Sequence, residues 1–285
     1  MPVDIAHLRG WIGRTETVDD VATLAPLRGL AATLDRDDPA PRAGDPIPPC
    51  RHWLYFLPVH PQSEIGPDGH AKRGGFLPPV PLPRRMWAGA RLEFLRPLRA
   101  GEAITRTSRI ADVSSKEGRT GPLVFVLVRH EVADAAGVAL IEEDDIVYRD
   151  NPGPDDPTSP ARQAPTEHQW KREIRPDPVL LFRYSALTFN GHRIHYDRSY
   201  VTEVEGYPGL VVHGPLIATL LLDLLRRSVP DAFVSRFAFR AVKPLFDVAP
   251  FFVCGRRSGE DNKTISLWAK DSDGHLAMEA SATLA

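Results

Sequence analysis

The spacing of apolar positions changes character along this chain, and the clearest stretch lies in its last third. Over Pro215–Arg227 (PLIATLLLDLLRR) leucine and isoleucine fall on nearly every side of a 3.6-residue period, which predicts a helix buried on most sides. Pro215 suits a first helical position, and two closing arginines complement the helix dipole. Residues 17–34 place acidic residues early and apolar ones recurrently, predicting a helix interrupted near Pro26. Thr166 to Gln169 have capping-box spacing, which predicts a short helix opening the second half. The run from Phe182 reads as a strand that ends at Asn190-Gly191, a turn-favouring pair.

Two stretches repeat one order of features. Arg96-Pro97-Leu98 precedes the β-rich run 123–132 and an Asp-x-x-Gly turn at 134–137. Lys243-Pro244-Leu245 precedes the run 263–270 and the same turn type at 271–274. Each copy carries about three β-rich runs separated by turn signals, so the pattern predicts two related antiparallel sheets. Between them, residues 151–165 hold five prolines and almost no large apolar side chain, which marks a domain boundary. Prolines also gather in 39–61 and 76–83, read as extended loops over a core.

Bulk properties narrow the classes. A net charge of −2, from 35 basic and 37 acidic residues, lacks the basic excess of nucleic-acid or membrane-surface binders. No apolar run reaches a membrane span, and the N-terminus has no secretory pattern. Cys50 and Cys254 lie far apart and form neither a disulfide framework nor a metal-ligand spacing, which fits a reducing, cytoplasmic setting.

Polar functional groups concentrate in 182–200 (FRYSALTFNGHRIHYDRSY) and 206–216 (GYPGLVVHGPL). Gly214 falls at the start of the buried helix, where a backbone N–H lacks an intrahelical partner and can hold a developing oxyanion. His195 has the side-chain chemistry to take up and return a proton near neutral pH.

Asn190-Gly-His-Arg-Ile-His-Tyr-Asp197, followed by Gly209-Leu-Val-Val-His-Gly-Pro-Leu216, resembles the signature of the (R)-specific enoyl thioester hydratase, or MaoC-like, family. Residues 52–70 and 74–94 look like the first half of its two-domain branch, which includes mitochondrial-type 3-hydroxyacyl-thioester dehydratases and mesaconyl-C4-CoA or itaconyl-CoA hydratases. The resemblance covers nearly the whole chain. It implies an α+β double hotdog: a degenerate first domain (1–150), the Pro-rich linker (151–165) and a catalytic second domain (166–285). It places His195 at the catalytic histidine, Gly214 at the oxyanion-hole glycine, and Asn190 where most members carry an aspartate. Asparagine cannot ionise, so Asn190 would orient water while His195 alone cycles the proton, with one ionisation near neutrality.

The implied reaction is reversible syn hydration of a 2-enoyl-CoA without metal or other cofactor. A short branched dicarboxylic acyl-CoA is the first choice of substrate. Rival readings are a fatty-acid-synthesis dehydratase acting on acyl-carrier-protein thioesters, a hotdog thioesterase, and a non-catalytic acyl-thioester binder. A homodimer of whole chains is left open.

Arg183, Arg193 and Arg240 are candidates for a substrate carboxylate, and Lys72, Arg73, Arg84 and Arg85 for CoA phosphates; solvated charge is the competing reading. His213 reads as ordering the turn before the helix, and Asp197 as a helix cap. A metal on His192 and His195 lacks a third ligand in the pattern. Trp53, Tyr55, Phe56 and Trp87 read as core.

Overall fold

Ten antiparallel strands join edge to edge into one sheet in the computed structural model, which describes residues 3–118, 121–151, 160–259 and 263–285. After a short helix α1 (Ile5–Arg9), the first half supplies β1 (Thr15–Val21), α2 (Leu24–Thr33), β2 (Arg84–Phe94), β3 (Ala103–Gly118), β4 (Gly121–Asp134) and β5 (Gly137–Arg149). The second supplies β6 (Trp170–Ile174), α3 (Pro178–Thr188), α4 (Gly214–Ser228), β7 (Val234–Ala241), β8 (Phe251–Ser258), β9 (Thr264–Asp271) and β10 (Leu276–Leu284). The strand order is β1-β3-β4-β5-β2 in one half and β6-β8-β9-β10-β7 in the other. The two meet where β2 pairs with β7, Gly89 opposite Arg240 and Glu93 opposite Arg236. The fold is an α+β double hotdog.

The repeated triplets do the same work in both halves. The N–H groups of Arg96 and Lys243 donate to Ala139 and Ala277, and the carbonyls of Leu98 and Leu245 accept from Ile47 and Val212. Arg96 pairs with Asp134, and Lys243 with Asp271. Each aspartate also closes its own turn by accepting from Ala136 N or Asp273 N.

The helices differ between the halves. α4 buries ten of its fifteen residues against the second half's sheet, as its leucine pattern requires. Between β1 and β2 the described helical elements are α2 and two 3-10 turns, Arg51–Leu54 and Gln62–Glu64. The rest of that segment is the Pro-rich chain.

Three local expectations are corrected. Thr15–Val21 is a strand paired with β3, so helix begins only at Leu24; Pro26 then sits in its first turn, where a missing N–H costs nothing. The stretch at Thr166 leads into β6 instead of a helix, because Gln169 extends the ladder: its N–H donates to Gly255 O, and its Oε1 accepts from Arg257 N. The stretch through Phe182 is helix α3, opened by Pro178 and capped by Asp177 Oδ1, which accepts from Leu180 N. Of the Pro-rich boundary, 152–159 lie outside the described residues. Residues 160–165 run beside the β9–β10 turn, Ala164 N donating to Gly274 O. No described helix is long and apolar enough to cross a membrane, and Cys50 and Cys254 are unpaired and buried.

Candidate active site

α3 ends at Phe189, which adopts a left-handed conformation (φ 49°), and Asn190 N then donates back to Ser185 O. Asn190 Oδ1 accepts from His192 N at 3.0 Å, turning the chain toward a 3-10 turn over Arg193–His195. The half-buried Asn190 thus has its oxygen engaged, has no hydrogen bond from its NH2 among the described residues, and forms part of the wall of the adjoining cleft.

His195 is 7% exposed. Its Nδ1 lies 2.7 Å from Val211 O, so Nδ1 carries the proton and Nε2 is left as the acceptor. Burial, aided by nearby His70 and opposed by the Val211 carbonyl, pushes its pKa down to about 4. At neutral pH it is a neutral imidazole, so the expected ionisation moves well below neutrality.

The ring of His213 stacks on that of His195, centroids 3.6 Å apart and planes 17° from parallel. His213 is the N-cap residue of α4, yet its side chain makes no cap: Nε2 meets Ser185 Oγ at 2.8 Å. The helix start thus keeps its own N–H groups uncapped by a side chain. A methyl built on Gly214 would meet nothing within 4 Å, so the space in front of the helix tip is open. His213, expected to order the turn, makes no side-chain cap there and instead lies flat against the imidazole of His195. Asp197 Oδ1 accepts from Tyr200 N, so it caps the π-helical turn Tyr200–Val204.

A loop of the first half closes over this turn. Arg193 N donates to Asp68 O at 2.9 Å, and Gly69 packs so tightly on Gly191 that a Cβ at Gly69 would lie 1.8 Å from the Gly191 carbonyl oxygen. His70, 3.0 Å from Asp68 Oδ2 through Nδ1, brings its ring 3.9 Å from that of His192. Asp68, His70 and His192 are the described groups nearest the site that could gather round a metal, but Asp68 is already engaged by the side chain and N–H of His70.

The arginines separate sharply. Arg193 is bound to Asp197 and Pro67 O, and lies over Tyr200. Arg84 is held by Tyr207, Glu205 and Asn151. Lys72 and Arg73 bond to loop carbonyls, and exposed Arg240 pairs with Glu279. Arg183 projects from the exposed side of α3, outside the cleft wall. Of these candidates Arg85 and Arg193 line the cleft.

The cleft holds about 1000 Å³ and runs between the halves. Trp53, Tyr55, Phe56 and Trp87, expected as core, form part of its wall while packing on the core behind. Sequence reasoning also missed a polar group on the first half's sheet. Ser108, His130 and Glu142 stand opposite one another on β3, β4 and β5, with Arg106 and Asp144 two residues away on the same face. The signal was there: polar side chains at Arg106, Ser108, His130, Glu142 and Asp144 fall on the strand face whose other positions, such as Ile104, Ile110, Val128, Val132 and Leu140, are apolar.

A model of the hydroxyacyl-thioester dehydratase type 2 family matches residues 50–247. The mesaconyl-C(4)-CoA hydratase of Chloroflexus aurantiacus is 48% identical over 279 residues, 98% of each chain. A MaoC-like dehydratase from Phytophthora capsici shares the fold, with a TM-score of 0.71 at 16% identity over 99% of this chain and 98% of that one. A Mycobacterium tuberculosis protein described as a double hotdog aligns with a TM-score of 0.57 at 13% identity, over 96% of each chain.

Proposed function

Because the chain belongs to the hydroxyacyl-thioester dehydratase type 2 family, we infer that it is a hydro-lyase acting on a 2-enoyl-CoA, with a short branched dicarboxylic acyl group such as that of mesaconyl-C4-CoA as its substrate. The observation that carries the mechanism is the neutral, tautomer-fixed His195 beside the open and uncapped start of α4.

In this reading the thioester carbonyl points at Gly214 N–H. His195 Nε2 takes a proton from water as the hydroxyl oxygen bonds to C3, and the double-bond electrons move to an enolate held at the helix tip. The protonated imidazole returns that proton to C2 from the same face, so water adds syn. Asn190 orients the water by donating its NH2. A positioned general base contributes on the order of 10² to 10⁴ in rate, and one oxyanion donor about 3 kcal/mol. Water and enoyl thioester balance the equation without a cofactor. Two buried, unpaired cysteines suit a cytoplasmic setting.

The family's name favours one second reading, dehydration of a 3-hydroxyacyl thioester, which is the same reaction reversed. The test is to incubate the protein with mesaconyl-C4-, itaconyl-, crotonyl- and long-chain enoyl-CoA and follow enone absorbance and product mass. Gain of one water, greatest with a dicarboxylic substrate, is expected. Release of free CoA thiol, or binding with no turnover, would refute the reading.

A further inference from the structure

The second half covers its sheet with α4; the corresponding face of the first half borders the cleft and carries charge. Glu142 is fixed there as a carboxylate, receiving the indole N–H of Trp53 and meeting His52 Nε2, each at 2.8 Å. Asp144 beside it is pushed well above the usual carboxylate range, chiefly by burial and then by Glu142. Around this pair, buried polar atoms lack partners among the described residues: Arg106 Nε, Asp144 Oδ1 and Trp87 Nε1, all on residues of the cleft wall.

Three arginines line the cleft. Arg193 is bound to Asp197, and Arg85 stands opposite Tyr148 on the neighbouring strand, at the edge of this face. Arg106 has no hydrogen bond or ion pair among the described residues; its guanidinium lies 5.2 Å over the ring of Phe56. A half-buried guanidinium facing open space with a stacked aromatic beneath it is set up to receive a planar anion through its fork of donors. An aliphatic chain seated there would leave the buried Arg106 Nε, Asp144 Oδ1 and Trp87 indole unpaired.

We propose that this polar face of the first half, where it borders the cleft, is the subsite for a carboxylate at the far end of the acyl group, and that Arg106 is the residue that receives it. The proposal rests on the functional reading above only in taking the cleft as the acyl chamber. It explains why the inner positions of β3, β4 and β5 break their apolar pattern at Arg106, His130, Glu142 and Asp144, a pattern with no use in a chamber for hydrocarbon.

Binding of unreactive acyl-CoAs tests this apart from turnover. Calorimetric titration would compare succinyl-CoA with butyryl-CoA, and adipyl-CoA with hexanoyl-CoA, pairs that differ in a terminal carboxylate against a methyl. The wild-type protein is expected to bind the acid-ended member of at least one pair about 10- to 100-fold more tightly, the size of one charged hydrogen-bonded contact. Arg106→Gln should bring that ratio within about threefold, and Arg106→Lys should keep part of it. Equal wild-type affinities within both pairs would overturn the proposal, as would an unchanged ratio in Arg106→Gln. A variant that loses both members of a pair alike would also overturn it, placing Arg106 in the fold or the CoA site. A preserved ratio in a protein that hydrates no enoyl-CoA would instead refute the functional reading and leave this subsite standing.

Discussion

His195 illustrates how a residue's chemistry is set by its surroundings. Burial disfavours its charged form, the Val211 carbonyl fixes its proton on Nδ1, and the stacked ring of His213 holds its plane. The base form therefore persists well below neutrality. A profile of kcat/KM against pH should keep its plateau down to pH 5 and fall on an acid limb near 4; a limb near the free-histidine value of about 6.5 would contradict the assigned environment. The same burial bears on stability. His130, His192, His195 and His213 all have folded pKa values below the unfolded one. The unfolded chain thus binds more protons below about pH 6.5, and stability is lost as pH falls from there toward 4, by up to about 1.4 kcal/mol per pH unit for each histidine. Urea midpoints at pH 7 and pH 5 check this. His195, Asn190 and Gly214 stood out as candidates because two short segments, 190–197 and 209–216, carry them, and the turn and helix start that place them are local features of the chain. The fates of the arginines could not be read this way: Arg84 meets Glu205 and Tyr207 across more than a hundred residues, and no local pattern announces such a pairing.

Helix α4 was legible from end to end because proline, leucines and closing arginines all act within one element. α3 was not, since Val179-Leu180-Leu181-Phe182 looks like a strand and only the cap at Asp177 betrays the helix. β1 failed in the opposite sense: its partner β3 lies some ninety residues away, and pairing overrides local pattern. Two outcomes follow from α4. Gly214→Ala should fold at least as well, since alanine favours helix by about 0.5–1 kcal/mol and its methyl meets no atom, yet it should lower kcat/KM by filling the space assigned to the thioester. Thermal unfolding beside steady-state rates would separate the two effects. Asp223, the one charged residue in the helix's buried stretch, binds Arg36, Arg172 and Arg227 and so ties α4 to β6 and to the chain after α2. Asp223→Ala leaves Arg172 and Arg227 without a carboxylate and Arg36 with Asp38 alone, and should cost about 3–5 kcal/mol in denaturant unfolding.

At the scale of the whole molecule, the repeated triplets and their turns were visible in the sequence because each is a local device. What the two copies do differently was not visible. One half fills its sheet with a helix; the other faces the cleft with polar side chains and sends the loop carrying Gly69 and His70 across to the turn at Gly191. That crossing leaves no room for a side chain at Gly69, whose φ of +90° also favours glycine. Gly69→Ala should push the loop off the catalytic turn and reduce turnover more than stability, as read from activity at temperatures well below unfolding. On the proposed reading, the proton transfers fall to the second half's histidine. Its most direct test is the rate of water addition to mesaconyl-C4-CoA by the wild-type protein and by His195→Ala, with the fold of both checked by circular dichroism. A folded variant slower by about 10³-fold or more is the expected result, the size of a lost acid–base residue. A folded His195→Ala protein within tenfold of the wild-type rate would contradict the account.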